Sequence, residues 1–367
     1  MLVRWVETEN FRLLSPQRVE FDPGVNVITG ANAQGKTTLL EAVYLLTGVR
    51  SFRTFYDREL IAFDKDAARI TGAVNAAGRE QKIQLDLARG RSRQIRQNGV
   101  KRTGGELREA LKAILFSPDD LGMIRGGAAA RRKLIDAAIS QLRPGYAALL
   151  GDFNRIYENK TRILKDWREK PSLLEPLEEF SRELCSCSAR LIRYRAAFAR
   201  RLNEAAGPVQ REFSGGTEEL TIDYATVSTV TDPAASEKDI FARVWERQLQ
   251  LRQAELDAGQ CLVGAHKDDL KIAINGADAR SYASQGQTRT AALSVKLAER
   301  EIFLAETGEA PVLLLDDVLS ELDAARQEFV LNRIGGGQTL VTSCEAESVS
   351  RLIEGRVLTV EKGRVRA

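Results

Sequence analysis

The sequence predicts an α/β protein, a mixed domain split by a mostly helical insertion, and three observations predict it. A glycine-rich loop, "GANAQGKTT" (30–38), lies between a β-type run and an apolar run with helical character. From about residue 117 to 258 the texture changes to charged-apolar stretches such as "EEFSRELCSCSARLIRYRAAFARRLNEAA" and "ARVWERQLQLRQAELDAG", each fit to bury one stripe of a helix. After about 259 β-type runs return, so residues 1–116 and 259–367 are expected to be two halves of one domain and 117–258 a helical arm.

In chain order, "VNVIT" is the strand before the loop and "TTLLEAVYLLTG" the helix after it. "AARITGAV", "EQKIQLDLA" and "SRQIRQNG" are strands punctuated by turns. Within the arm, "GGTEELTIDYATVSTVTDPAAS" has room for a strand or two. "DLKIAI", "PVLLLDD", "QTLVTS" and "RVLTVEKGRVR" are the later strands, separated by helices. No heptad pattern persists long enough for an extended coiled coil.

Composition excludes several classes. With 43% hydrophobic residues in 367, the chain can bury a sizeable core. No apolar run reaches bilayer length, and "MLVRWVETENFR" carries charges where a signal peptide needs an apolar centre, so a cytoplasmic protein is expected. Four scattered cysteines suit free thiols, and one histidine, His266, leaves no His-based metal site or triad. Any metal must be held by oxygens. A net charge of +3 is too small to announce a nucleic-acid binder. Locally, "ARGRSRQIRQNGVKR" (88–102) gathers Arg89, Arg91, Arg93, Arg96, Lys101 and Arg102 without an acid; it could track a phosphate backbone or be a solvated hairpin.

Gly30 to Thr37 fits G-x-x-x-x-G-K-[ST] in the strand-loop-helix context that the pattern requires. Its glycines let backbone N–H groups close around phosphates at a positive helix end, Lys36 reaches the β and γ phosphates, and the Thr37 hydroxyl can ligand Mg²⁺. Such a loop needs a carboxylate for the ion and a group to orient water. "PVLLLDDVLSELD" offers Asp316 for the first and Asp317 for the second, at the end of a buried-type strand. Ser284, Gly286 and Gln287 open a helix whose Ala291, Val295, Ala298 and Ile302 keep helical spacing. Ser284 is either a plain N-cap or a donor at a second positive helix end, suited to a γ-phosphate held by another subunit.

The order of these motifs resembles the ABC-type ATPase head, with "ASQGQ" where transporters carry Leu-Ser-Gly-Gly-Gln. More narrowly, "NFRLLSPQRVEFDPGVNVITGANAQGKT", "FSPDDLGMIRGGAAARRKLID", "VGAHKDDL" and "LLLDDVLSELDAARQEFVL" are similar to the RecF family of bacterial recombination mediators, over nearly the whole chain. The resemblance implies an ABC-type (P-loop NTPase) head with an inserted helical arm. It implies that Gly30, Ala31, Asn32, Ala33, Gln34, Gly35, Lys36, Thr37 and Thr38 bind ATP and Mg²⁺, and that Asp316 and Asp317 take the Walker B roles with Lys36. Ser284, Gly286 and Gln287 would be the signature facing a partner's ATP, and Ser320, Leu322 and Asp323 the D-loop, although Ser320 or Asp323 could equally just cap the helix "AARQEFVLNRI".

The family further implies an ATP-dependent homodimer that holds double-stranded and gapped DNA, with RecR and RecO, to help RecA load at gaps, and slow hydrolysis used as a switch. Nucleoid association would follow. Candidate DNA contacts are Arg89, Arg91, Arg93, Arg131 and Arg132. The pattern is broken where many ABC ATPases carry a histidine, here Thr342 and Ser343. His266 stands in "GAHKDDL" and is expected to be structural. Asp119 or Asp120 falls where a Q-loop would be, and Ala128 where the family usually has proline. An ABC transporter subunit is the rival from another class, opposed by the helical insertion and the missing histidine; a scaffold that binds ATP without hydrolysis is opposed by Asp317 beside Asp316.

Overall fold

The computed structural model describes residues 1–54, 56–107, 110–344 and 355–367. In chain order its strands and helices are β1 (Leu2–Glu9), β2 (Gln17–Glu20), β3 (Val25–Thr29), α1 (Lys36–Leu45), β4 (Ala67–Ala76), β5 (Arg79–Ala88), β6 (Gln94–Gln97), β7 (Val100–Arg102), α2 (Gly104–Leu107), β8 (Ala113–Phe116) and α3 (Pro118–Leu121). There follow α4 (Ala128–Leu142), α5 (Tyr146–Asp166), α6 (Leu177–Phe213), β9 (Leu220–Ala225), α7 (Glu237–Ala258), β10 (Asp269–Ile274), β11 (Ala277–Asp278) and α8 (Ala279–Tyr282). The chain closes with α9 (Gln285–Thr307), β12 (Val312–Asp316), α10 (Ala324–Arg333), β13 (Thr339–Ser343), β14 (Arg356–Glu361) and β15 (Arg364–Arg366). The helix expected between "QTLVTS" and "RVLTVEKGRVR" lies outside the described residues.

One compact unit contains Met1–Gly122, Glu212–Gly216 and Ser284–Ala367. Among the described residues it has two six-stranded sheets. The first runs β2-β1-β4-β5-β6-β7, antiparallel throughout. The second runs β15-β14-β3-β13-β12-β8, parallel except for the edge strand β15. Helix α1 packs on β1 of the first and on β12 and β13 of the second. Every residue of α1 is buried except Thr37, so its apolar side chains are not confined to one stripe, and its polar Lys36, Thr38 and Glu41 are buried with them. Val6, Ile70 and Ile83 from one sheet and Ile28, Leu314 and Leu340 from the other join Leu39, Leu40, Val43 and Leu46 in one core. Each such side chain contributes about 1.5–3 kcal/mol on burial.

The second unit contains Met123–Arg211 and Thr217–Ala283. Its helices α4 to α7 account for the expected texture, and β9 is the strand that the turn-rich stretch had room for. Residues 259–283, expected in the head, fall here instead. The reason is pairing: β10 satisfies its backbone groups against β9, antiparallel from Asp269↔Ala225 to Ile274↔Leu220, and turns into β11. The longest helix, α6, has 37 residues. No helix among the described residues is long and apolar enough to cross a membrane.

Candidate functional site

Strand register assembles the site. In the parallel sheet Asp316 on β12 lies opposite Thr342 on β13, and Ser343 lies opposite Thr29 on β3. The glycine loop and the acidic pair therefore emerge at the same C-terminal sheet edge, where open α/β sheets carry their ligands. Between β3 and α1 the chain needs left-handed backbone at Gly30 (φ 147°), Ala33 (φ 63°) and Gly35 (φ 118°). A side chain at Gly30 would also strike the Val360 carbonyl, so only glycine fits.

Lys36 is buried and turned onto the loop: its Nζ donates to the carbonyls of Gly30 at 2.6 Å and Ala31 at 3.1 Å, and approaches Cys344 Sγ at 3.3 Å. The Cys344 thiol in turn donates to Asn32 Oδ1 at 2.9 Å. Gln34 is anchored away from the loop's centre, its Oε1 accepting from Lys362 N at 2.6 Å and its carbonyl from Gly363 N at 3.1 Å. Ala31, Asn32 and Ala33 are exposed, whereas Thr38, in the first turn of α1, is buried.

Thr37 and Asp316 meet. Asp316 Oδ1 accepts from Thr37 Oγ1 at 2.8 Å and from Thr342 Oγ1 at 2.9 Å. The backbone N–H of Asp317 donates to the same Thr342 oxygen at 2.9 Å, which holds Asp317 in the left-handed region at φ 53°. Ser320 Oγ then donates to the Asp317 carbonyl at 2.7 Å and to its Oδ1 at 3.1 Å. Burial raises the Asp316 pKa above the ordinary carboxylate range, Asp317 adds to the rise, and Thr37, Thr342 and Arg53 oppose it. A hydroxyl and a destabilised carboxylate side by side are the oxygen donors that a small divalent cation takes when phosphates complete its shell.

Three residues that interact with the candidate site residues were not legible in sequence. Thr342 stood out only as a missing histidine, yet it is the hydroxyl that orders both aspartates. Arg53 follows α1 with no motif around it; it lies 3.5 Å from Glu41, which is fully buried, is ion-paired with Arg12 at 2.6 Å, and accepts from Arg12 Nη2 at 2.9 Å and from Ser51 Oγ at 2.5 Å. Arg326, on α10, is the third.

Ser284, Gly286 and Gln287 are not bonded to the glycine loop. Ser284 caps α9 in a reciprocal box: its Oγ accepts from Gln287 N at 3.2 Å and its N–H donates to Gln287 Oε1 at 2.9 Å, while the serine remains exposed. Leu322 is buried, and Asp323 caps α10 by accepting from Arg326 N at 2.9 Å. Both capping readings thus describe this chain, without taking Ser284 out of solvent.

The basic candidates divide. Arg131 is 4% exposed and forks onto Asp269 at 2.7 and 2.9 Å while bonding the carbonyls of Met123 and Gly126, so it has no face left for a phosphate. Arg132 donates to the Asp268 carbonyl at 2.6 Å. Arg89 is occupied by the Lys65 carbonyl and Arg93 by Asp57 and the Val49 carbonyl. Arg91 is exposed. Asp120 caps α3 through Ser117, and Asp119 is exposed. Ala128 is the first residue of α4, a position that proline suits. His266 is structural as expected: Nε2 lies 3.1 Å from the Cys261 carbonyl, its ring is 4.6 Å from Tyr157, and burial lowers its pKa to about 4.

The model of the RecF/RecN/SMC N-terminal domain matches residues 2–364. The DNA replication and repair protein RecF of Pelotomaculum thermopropionicum is 38% identical over 100% of both chains, and that of Bacillus subtilis is 37% identical over 95% of each. A solved structure of the recombination mediator protein RecF-ATPrS in the RecFOR pathway superposes with a TM-score of 0.91 at 36% identity, covering 99% of this chain and 97% of that one. The Smc head domain of Pyrococcus furiosus, at 16% identity and a TM-score of 0.55, shares the fold over 99% of this chain and 95% of its own. The fold is accordingly that of an ABC-type ATPase head with a helical insertion, and the chain belongs to the RecF family.

Proposed function

We propose that this protein is an ATP-dependent DNA-binding recombination and repair protein. Gly30–Thr38 binds the nucleotide, Lys36 turns from its own loop's carbonyls to the β and γ phosphates, and Asp317 orients the attacking water. Thr37 and Asp316 hold Mg²⁺, which when bound supplies charge neutralisation between the phosphate oxygens. Ser284, Gly286 and Gln287 of a second copy, with Ser320, Leu322 and Asp323, complete the site. ATP therefore closes a homodimer on duplex DNA at gaps and junctions, and slow DNA-modulated hydrolysis releases it. RecR, with RecO, is the partner that couples the closed dimer to RecA loading in gap repair and the SOS response. The two halves 1–116 and 284–367 form the head, and the helical insertion is the arm.

The observation that carries this reading is the single cluster of Thr37, Asp316, Thr342 and Asp317 beside Lys36, with the capped serine of α9 left open to solvent. The relatives named RecF, and the RecF-ATPrS structure among them, support it. The test is fluorescence anisotropy of a gapped duplex in ATP and in ADP, with Ser284→Arg and Asp317→Asn alongside. ATP-specific binding is expected, lost in Ser284→Arg and prolonged in Asp317→Asn, whose phosphate release should fall. Binding indifferent to nucleotide and to Ser284→Arg would mean static basic patches rather than a clamp.

A further inference from the structure

Arg326 is three-quarters buried and joins the two segments that the proposed function assigns to the partner's site. Its backbone N–H and its Nη1 meet the Asp323 carboxylate, one on each oxygen. From the same guanidinium, Nε donates to Thr290 Oγ1 at 3.2 Å and Nη2 reaches the Gly286 carbonyl at 3.4 Å. Thr290 Oγ1 donates to that Gly286 carbonyl at 3.0 Å, so three groups close a ring over the first turn of α9. A Cβ at Gly286 would stand 3.1 Å from Nη2, tighter than ordinary contact, which gives this glycine a packing role beyond any contact with phosphate. Phe213 lies under the guanidinium, 5.9 Å from its carbon, and packs on Phe329 of α10 at 4.2 Å between ring centres.

A planar fork with five donors can hold two elements in fixed orientation, which a single ammonium cannot. We propose that Arg326 is a positioning residue that locks the signature turn (284–290) to the D-loop (320–323), so that one subunit presents both to its partner as a single rigid surface. This rests on the composite site proposed above. Arg326 makes no direct bond to Lys36, Thr37, Asp316, Asp317 or Thr342, and the D-loop it holds touches its own site only through Ser320 and Asp317, so its main effect is expected in the partner's site.

That separation makes a mixing experiment decisive. Arg326→Ala is expected to bind fluorescent nucleotide within about twofold of the parent yet to release phosphate about tenfold more slowly and to dimerise poorly with ATP. Asp317→Asn is defective in its own nucleotide site and intact in the surface it offers. Mixed one to one, the two variants form heterodimers with one sound composite site, and phosphate release should rise to about a quarter of the parent rate. Arg326→Lys keeps the ion pair to Asp323 but cannot span Gly286 and Thr290, and it supplies the same comparison should the alanine variant not fold. Parent-like rates and dimerisation in both Arg326 variants would overturn the inference and leave the ATP-driven dimer standing. A mixture no more active than the sum of its parts would also overturn it, because the damage would then lie within the subunit. A parent protein that does not dimerise with ATP would remove the composite site and this inference with it.

Discussion

At the scale of the residue, the most economical device in the site is the Thr342 hydroxyl. It donates to Asp316, accepts from the Asp317 backbone, and so fixes a left-handed aspartate that costs on the order of 1–3 kcal/mol to hold. Thr342→Val keeps the shape and removes both bonds. The Asp317 N–H then loses a partner in a half-buried position, a loss of about 1–3 kcal/mol. Phosphate release is expected to fall about tenfold, since 1.4 kcal/mol of lost positioning is a factor of ten, while nucleotide affinity stays within about threefold. Parallel measurement of phosphate release and nucleotide binding checks this: equal losses in both would mean that Thr342 serves binding rather than the placement of Asp317.

At the scale of the element, His266 docks a short turn onto α5. Its ring leans on Tyr157 at a tilt of 42°, lies 6.2 Å from Phe153, and ties back to the Cys261 carbonyl. Burial first, then Lys267, Arg132 and Lys160, bring its pKa down to about 4 against the bond to Cys261. The folded chain therefore resists a proton that the unfolded chain accepts below its ordinary value near 6.5. Stability from this group is complete above that value and falls as pH drops from about 6.5 to about 4, by up to about 1.4 kcal/mol per pH unit. Urea midpoints at pH 7.5 and 5.0 should differ more in the parent than in His266→Phe. Equal pH dependence in the two would place the histidine in water rather than against α5.

At the scale of the whole molecule, the glycine loop and the first turn of α9 share one unit but not one hydrogen-bonded cluster. On the proposed reading, hydrolysis then needs two chains, and its rate per molecule depends on concentration. Below the dimer's dissociation constant, doubling the protein should roughly double phosphate release per chain, approaching a plateau above it. A specific rate flat across a hundredfold dilution that still keeps the chain monomeric would show a site complete in one subunit. The arm adds a second demand at this scale. Its buried network places Arg195 on Asp268 at 2.7 Å and on Asp136 at 2.8 Å, with Tyr224 and Thr226 bonded to Asp268, so the stretch "GAHKDDL" serves the lobe's own interior.

The glycine loop, the helix after it, the acidic pair and the capped Ser284 were legible because each depends on local chemistry: positive φ, backbone N–H groups at a helix end, an apolar run closed by carboxylates. The change of periodicity that suggests a head and an arm is likewise something each stretch of chain carries within itself. What the sequence could not settle were pairings between distant segments. Residues 259–283 have the texture of the head, and only the ladder between β9 and β10 decided that they belong with the arm. Arg131 and Arg93 look like surface charge in sequence, because nothing local announces that Asp269 and Asp57 await them. Thr342, Arg53 and Arg326 acquired their places from strand register and helix packing. By itself the sequence determined which motifs and which candidate side chains the chain carries; the tertiary structure decided which charges face water and which hydroxyl meets which carboxylate, because those depend on contacts between segments far apart in the chain.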